Sequence, residues 1–311
     1  MSEFDLIAGH FLRGAIRQPE TRVANGDDAS IHALADGHEL VVSTDTAWLG
    51  IHWPKDFPLD DAMDRAVCAA LSDLAAMGAK ARWIWTAITL QHQDQALLMG
   101  QGIVRAADRH GVEIAGGDTT SGQQCGITVT VAGIIPEKTA MCRHQAHVGD
   151  HVFVLGSLGR SALGLAEWQK GKHDGDYVPY FTHITPQLFA GELLAKAGIR
   201  CCIDVSDGLL QDANHICEAS HCAMRLDLNC LLDAFPSPKH REKDVLIQAV
   251  LTGGDDYALL FTAAPSMVIP EVAALRIGQC VAAKHGVYTS TPFLDNRPYL
   301  MDYPRGFDHF T

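Results

Sequence analysis

The sequence predicts a mixed α/β (α+β) protein of two domains. Its 311 residues exceed the length of a typical single domain and suit two. Short runs of strand-forming residues end repeatedly in turns that carry glycine and aspartate, the position at which α/β proteins place ligand chemistry. Pro136 and the polar residues 137–150 indicate a boundary, so we expect domains over residues 1–137 and 138–311.

The chain is acidic, which argues against some partners. It has 24 Lys and Arg against 37 Asp and Glu, a formal net charge of −13 at pH 7, and no basic run. Neither a nucleic acid nor an anionic membrane surface is therefore an expected partner. No apolar run approaches the ~20 residues that span a bilayer. An anionic substrate would have to reach this protein together with cations.

The nine cysteines indicate a reducing compartment. Their number is odd, no C-x-x-C pair occurs, and residues 1–5 show neither the basic start nor the apolar core of a signal peptide. We therefore expect reduced thiols, several of them buried, in a cytoplasmic protein.

Hydrophobic periodicity predicts the elements of the first half. Apolar residues three and four apart predict a helix over residues 3–17. The next expected elements are a hairpin of residues 30–35 and 39–42, a buried apolar helix from Asp60 or Asp61 to about Met77, a helix over 95–110, and strands over 112–115 and 127–135.

The second half is predicted to alternate strands with helices. Expected are a strand over 151–155, a helix that ends near Trp168, a loop over 171–186, a strand that leads into the turn at Asp204–Asp207, a helix from about Gly208, and a strand over 258–261. The loop 156–161 is only loosely similar to a phosphate loop, because it lacks the lysine of the G-x-x-x-x-G-K-[ST] pattern. Close packing of helix on strand is the favoured interpretation.

Oxygen-bearing side chains follow the predicted strand over residues 39–42. Ser43, Thr44 and Asp45 are expected where that strand ends, and their oxygens suit Mg²⁺. His52 stands a few residues on, between an isoleucine and a tryptophan, in a setting fit for an organic ligand. A polar turn with a chance histidine is the alternative.

Carboxylates recur at predicted strand ends and on the buried helix. Six are candidates for one cation site: Asp28, Asp45, Asp73, Asp118, Asp204 and Asp207. Two unpaired carboxylates ~4 Å apart repel by about 4 kcal/mol at an effective dielectric constant of about 20, so six could converge only around divalent cations. A site with several Mg²⁺ ions suits a polyphosphate and hence phosphoryl transfer. A salt bridge for Asp73 and a helix cap for Asp207 are the alternatives.

The motifs that contain these residues resemble one family along the whole chain. In order they are Gly26-Asp27-Asp28-Ala29, Ser43-Thr44-Asp45, Gly50-Ile51-His52, Leu71-Ser72-Asp73-Leu74-Ala75-Ala76-Met77-Gly78-Ala79, Gly117-Asp118-Thr119-Thr120, Asp204-Val205-Ser206-Asp207-Gly208-Leu209 and Gly253-Gly254-Asp255-Asp256-Tyr257, with the ending Gly306-Phe307-Asp308-His309-Phe310. They resemble the thiamine-monophosphate kinase family. The resemblance implies ATP-dependent phosphorylation of thiamine phosphate to thiamine diphosphate by direct in-line transfer. It also implies the two-domain fold of the aminoimidazole ribonucleotide synthetase superfamily, with the N-terminal sheets forming the barrel of a homodimer.

The same resemblance implies roles for particular residues. Several Mg²⁺ ions would be held by Asp28, Ser43, Thr44, Asp45, Asp73, Asp118, Asp204 and Asp207, of which Asp45, Asp118 and Asp207 would be catalytic. ATP would contact Gly117, Asp118, Arg143 and Ser206. Thiamine phosphate would contact His52, Asp255 and Phe307.

The chain departs from the family pattern at three of its positions. Asp255 and Ala258 stand where the family pattern G-G-E-D-Y-E has glutamates, and Phe307 stands where tryptophan is common. None of these changes touches an expected metal ligand. The open alternatives are another ATP-using enzyme of the superfamily with a different substrate, and a non-catalytic nucleotide-binding protein.

Overall fold

A computed structural model describes residues 18–23, 31–234 and 242–299 of the chain. These residues form two compact units, which divide the chain between Lys138 and Thr139; the short segment Ala75–Gly78 belongs with the second unit. The predicted helix over 3–17 and the chain ending with Phe307 lie outside the described residues, as does Asp28.

The first unit is built on a four-stranded sheet. Its elements are β1 Thr21–Val23, β2 Ile31–His32, β3 His38–Trp48, α1 Leu59–Met77, β4 Lys80–Leu90, α2 Gln95–His110, β5 Glu113–Ser121 and β6 Gly126–Pro136. The sheet order is β3-β6-β4-β5, in which β4 and β5 run parallel and the other neighbours antiparallel, while β1 and β2 form a separate ribbon. α1 is rich in alanine and leucine and is largely buried, as its apolar composition predicts.

The hairpin expected of residues 30–35 and 39–42 is wrong. β2 pairs with β1, and residues 39–42 open the eleven-residue strand β3, which pairs with β6 along its whole length. Ser43, Thr44 and Asp45 therefore lie inside a strand rather than at its end. Polar residues do not stop this strand, because one of its faces is exposed and hydroxyls pair across it, as in Thr44–Thr130 (3.0 Å between the Oγ1 atoms).

The strand expected over 112–115 is also longer than predicted. β5 continues to Ser121, so the glycine-and-aspartate motif at 116–120 is part of the strand, paired with β4. The helix over 95–110 and the strand over 127–135 are confirmed, the latter with one more residue at each end.

The second unit is a seven-stranded sheet with helices. Its elements are β7 His151–Leu155, α3 Arg160–Trp168, α4 Val178–Thr182, α5 Leu188–Lys196, β8 Cys201–Val205, α6 Leu209–Ala219, β9 Ala223–Asp227, α7 Leu228–Ala234, α8 Lys243–Thr252, β10 Ala258–Ala263, β11 Ala274–Val281, β12 Ser290–Leu294 and β13 Arg297–Pro298. The sheet order is β13-β12-β9-β11-β7-β10-β8. Every neighbouring pair is antiparallel except β9 and β12.

The core of the second unit lies among β7, β8, β10 and α6. Val152, Ile203, Leu209 and Leu260 are among its buried apolar side chains. The expected loop over 171–186 contains the short helix α4, which a proline in its first turn helps to start. All nine cysteines fall in the described part of the chain, and there they are free thiols, seven of them buried. None of the described helices combines the length and the hydropathy of a membrane span.

Candidate functional site

The first unit carries a cluster of polar side chains, Ser43, Asp45 and Asp73, which we name the first acidic cluster. Ser43 and Asp45 are two residues apart on β3 and so share one face of the strand. Asp73 lies in the last turns of α1, and the Ser43 hydroxyl donates a hydrogen bond of 2.5 Å to its Oδ2. Strand and helix thus bring together residues that are 30 positions apart in sequence.

The first acidic cluster holds an unfavourable concentration of negative charge. Withdrawal from water and, second, the negative charge of Asp73 raise the pKa of Asp45 to about 6. Asp45 is nevertheless exposed as a residue, so water screens part of this repulsion. A divalent cation would remove the repulsion between Asp45 and Asp73, because it compensates both charges and takes oxygen ligands.

Thr44 and Asp118 lie on the other face of the same sheet. Asp118 pairs in register with Ala87, Ala87 with Thr128, and Thr128 with Thr46. Since paired residues share a face and neighbours along a strand alternate, Asp118 faces the same side as Thr44 and the opposite side from Asp45. Asp118 is exposed, and its Oδ1 accepts the N–H of Thr119 at 2.9 Å.

His52 lies in the turn after β3. Its Nδ1 accepts the backbone N–H of Trp48 at 3.0 Å, which places the proton of the neutral ring on Nε2. The ring is half-buried, while the neighbouring Trp53 is fully buried and Ile51 is exposed. A neutral imidazole with a fixed orientation can serve as a hydrogen-bond donor to an organic phosphate.

The second unit carries an acidic turn between β8 and α6. Asp204 is buried within β8, and Ser206 and Asp207 follow at its end. The backbone N–H groups of Ser206, Asp207 and Gly208 all donate to Oδ2 of Asp212, at 3.1, 3.2 and 3.1 Å. Three successive N–H groups form a concavity that binds anions, and here a carboxylate of the chain itself fills it.

Asp204, Asp207 and Asp212 form a group that we name the second acidic cluster. Asp212 was not predicted from the sequence. Burial raises its pKa to about 7, and the charges of Asp207 and Asp204 add to the shift, whereas the N–H groups of Gly208 and Asp207 oppose it. Ligand atoms of Asp207, Asp212 and His215 lie within 4.8 Å of one another, so that they could hold a metal ion. His215 was not predicted either.

The segment Gly254–Tyr257 packs against the acidic turn. The N–H of Asp255 donates to the carbonyl of Ser206 at 2.7 Å, and the N–H of Tyr257 donates to that of Val205 at 2.8 Å. A Cβ on Gly254 would lie 2.5 Å from the Ser206 carbonyl oxygen, so only glycine allows this approach. The Tyr257 hydroxyl donates to Oδ1 of Asp255 at 3.1 Å and orients that carboxylate.

Arg143 lies in a short 3₁₀ helix, Arg143–Gln145, of the second unit. It is exposed, and its carbonyl accepts the hydroxyl of Ser220 at 2.7 Å. This contact fixes the backbone of Arg143 and leaves its guanidinium at the surface, in keeping with a role in binding an anionic ligand.

The chain matches two family models along most of its length. Residues 26–135 match the AIR synthase related protein N-terminal domain, and residues 147–286 match the AIR synthase related protein C-terminal domain. The two-domain fold expected from the sequence is confirmed.

The chain is also similar in sequence and in structure to individual proteins. A thiamine-monophosphate kinase of Haemophilus influenzae is 31% identical over 326 residues, covering 100% of this chain and 98% of its own. The crystal structure of a thiamine-monophosphate kinase from Stenotrophomonas maltophilia has a TM-score of 0.80 at 29% identity and covers 95% of this chain and 96% of its own. A structure of AaThiL complexed with AMPPCP and TMP, at 23% identity, shares the fold with a TM-score of 0.75, covering 89% of each chain.

Proposed function

The chain belongs to the thiamine-monophosphate kinase family, and we propose that it transfers the γ-phosphoryl group of ATP to thiamine monophosphate, yielding ADP and thiamine diphosphate. The observation that carries this proposal is the likeness to a thiamine-monophosphate kinase over 100% of this chain and 98% of the relative, rather than over one domain. The complex of AaThiL with AMPPCP and TMP adds support, since that protein of the same fold binds an ATP analogue.

Both acidic clusters have the donor chemistry that Mg²⁺ requires. The fit rests on the pKa of Asp45, which desolvation and its neighbour Asp73 raise to about 6, and on ligand sets made of oxygen. In the first unit Ser43, Asp45 and Asp73 would hold Mg²⁺, as would Thr44 and Asp118 on the opposite sheet face. Asp204 and Asp207 would do so in the second unit, and Asp28 is the remaining proposed ligand. Bound Mg²⁺ would neutralise the phosphate oxygens during transfer.

The residues of the chain position the two substrates for in-line transfer. Asp45, Asp118 and Asp207 are the proposed catalytic carboxylates. Gly117, Asp118, Arg143 and Ser206 would contact ATP, and His52, Asp255 and Phe307 would contact thiamine monophosphate. Asp255 is one methylene shorter than the glutamate of the family pattern. Its fixed geometry, held by the Tyr257 hydroxyl, is therefore important for substrate affinity.

A second copy of the chain would cover the outer face of the first-unit sheet. Leu40 and Val42 are 51% and 54% exposed on that face, beside Ile134 and the hydroxyl pairs Thr44–Thr130 and Thr46–Thr128. Neighbouring exposed apolar side chains on one face of a sheet are typical of an interface. Because Asp118 shares this face, a homodimer would bring the partner close to a proposed catalytic residue. The free thiols fit a cytoplasmic location for this enzyme.

The test is ATP turnover with Mg²⁺, in the presence and absence of thiamine monophosphate, with thiamine diphosphate as the detected product. We expect product only when all three components are present, and none when EDTA replaces Mg²⁺ or thiamine replaces its monophosphate. ADP formation with a different acceptor alone would refute the proposed substrate. ATP binding without turnover on any acceptor would favour a non-catalytic role.

A further inference from the structure

The amino-terminal end of α3 is closed by a carboxylate from a distant part of the chain. Asp256 accepts the N–H of Gly159 at 2.5 Å through Oδ2 and the N–H of Ser161 at 3.2 Å through Oδ1, across 97 and 95 residues of sequence. The backbone of Arg160 bonds to the same carboxyl group. The first N–H groups of a helix have no partner within the helix, and Asp256 supplies it.

This contact explains why the loop 156–161 is not a phosphate site. A helix that begins after a glycine-rich loop attracts phosphate through its free N–H groups and its dipole. Here Asp256 occupies those N–H groups. Gly159 has φ +74°, and a Cβ at this position would lie 2.6 Å from the carbonyl carbon of Ala249. The glycine therefore serves close packing, but its partner is helix α8 rather than the strand that the sequence interpretation expected.

The residues on both sides of Asp256 have a strained backbone. Asp255 has φ +66° and Tyr257 has φ +50°, both in the left-handed region that side chains other than glycine rarely adopt. Such strain persists only where surrounding contacts enforce it. The contacts here are the anchored carboxylate of Asp256 and the backbone bonds from Asp255 and Tyr257 to Ser206 and Val205.

We propose that Asp256 is a positioning residue for the acceptor substrate: by anchoring to the end of α3 it forces Asp255 into the backbone conformation that aims its carboxylate. The proposal rests on the proposed function, in which Asp255 contacts thiamine monophosphate. The Tyr257 hydroxyl adds to this positioning, because it donates a hydrogen bond to Oδ1 of Asp255 from the residue that follows Asp256. Asp256 acts through Asp255 and makes its own contacts to the backbone of α3.

Asp256→Ala removes all of the anchoring bonds, so that residue 255 can leave the left-handed region. We expect the KM for thiamine monophosphate to rise about tenfold or more, because the contact between Asp255 and this substrate would be lost. A loss of this size is typical of one hydrogen bond to a charged group. The KM for ATP and kcat should stay within about twofold, because the proposed metal ligands are untouched. Asp256→Asn keeps one acceptor oxygen and should give an intermediate KM for thiamine monophosphate.

The measurement is steady-state kinetics with each substrate varied in turn, on the wild type, Asp256→Ala, Asp256→Asn and the control Asp150→Ala. Asp150 is also a buried carboxylate of the second unit, and its Oδ2 accepts the N–H of His147 at 2.9 Å. Its loss should lower the melting temperature and leave both KM values unchanged. A selective rise that follows the order Ala above Asn above wild type supports the proposal.

Equal rises in the two KM values, no rise, or the same selective rise in Asp150→Ala would overturn it. If Asp256→Ala does not fold, Asp256→Asn and Tyr257→Phe decide, and an unchanged KM for thiamine monophosphate in both refutes the positioning role. A wild type that forms no thiamine diphosphate overturns the proposed function and this inference together. An active wild type with unselective variants overturns only the inference.

Discussion

Asp45 of β3 and Asp73 of α1 carry like charges side by side. Partial burial and then the charge of Asp73 raise the pKa of Asp45 to about 6. The Ser43 hydroxyl that donates to Asp73 compensates a small part of this charge. Carboxylates arranged in this way repel each other and become favourable once a divalent cation binds, which makes Asp45 the residue at which metal dependence should be tested first.

Asp45→Asn should abolish turnover and leave the fold intact. The amide keeps the size of the side chain but loses the charge that would hold Mg²⁺, so we expect kcat to fall by about a hundredfold or more, as when a catalytic electrostatic contact is removed. The check is kcat together with the circular dichroism spectrum. The control is Asp108→Asn, an exposed carboxylate on α2. Near-normal turnover of Asp45→Asn would remove it from the metal site.

The affinity for Mg²⁺ should depend on pH through Asp45. The pKa of Asp45 in the folded protein is raised to about 6, above that of a free aspartate. Without Mg²⁺, the folded protein therefore favours the protonated carboxyl between about pH 4 and 6. The stability that this protonation contributes is lost as pH rises through about 6. Mg²⁺ competes with that proton. Its apparent affinity should therefore increase as pH rises to about 6 and level off above it.

The rise in melting temperature with added Mg²⁺, measured at several pH values, reports this affinity without relying on activity. In Asp45→Asn the change in slope near pH 6 should disappear. A wild type whose Mg²⁺ response is the same at pH 5 and pH 7 would contradict the assignment.

The regular elements that the sequence predicts well are those with uninterrupted periodicity. β6 alternates cleanly and α2 is amphipathic, and both lie where expected. β4 was not predicted. Its pairing has register shifts between Ala81 and Trp83 and between Ile84 and Trp85, and such irregularities break the period of two on which strand prediction depends.

The site shows a similar division between what sequence reveals and what it hides. Asp45 and Asp73 could be predicted because their motifs are specific in order and spacing. Asp212 and Asp256 could not, because their partners are backbone N–H groups, which leave no residue-type signature in the sequence. The placement of Asp118 on the sheet face opposite Asp45 required the observed register.

His52→Ala should raise the KM for thiamine monophosphate far more than that for ATP. The ring is oriented by the N–H of Trp48 and presents Nε2 as its donor, so removal of the ring deletes a contact to one substrate only. We expect a selective change of about tenfold, the size of one charge-assisted hydrogen bond. The exposed His92 provides the control variant His92→Ala. Equal effects of His52→Ala on both substrates would exclude it from the acceptor pocket.

Val42→Lys should dissociate the proposed homodimer and lower activity at the same time. Val42 is 54% exposed on the outer sheet face, and a lysine there would place a charge beside Leu40 in the proposed interface, where it would be buried without a partner. Since Thr44 and Asp118 share that face, a monomer would lose whatever the partner contributes around them. The mass in solution, by sedimentation equilibrium, and kcat should fall together.

Val268→Lys, at an 84% exposed valine of the second unit, should change neither. A fully active monomeric Val42→Lys variant would show that Asp118 works within a single chain, and a monomeric wild type would refute the dimer.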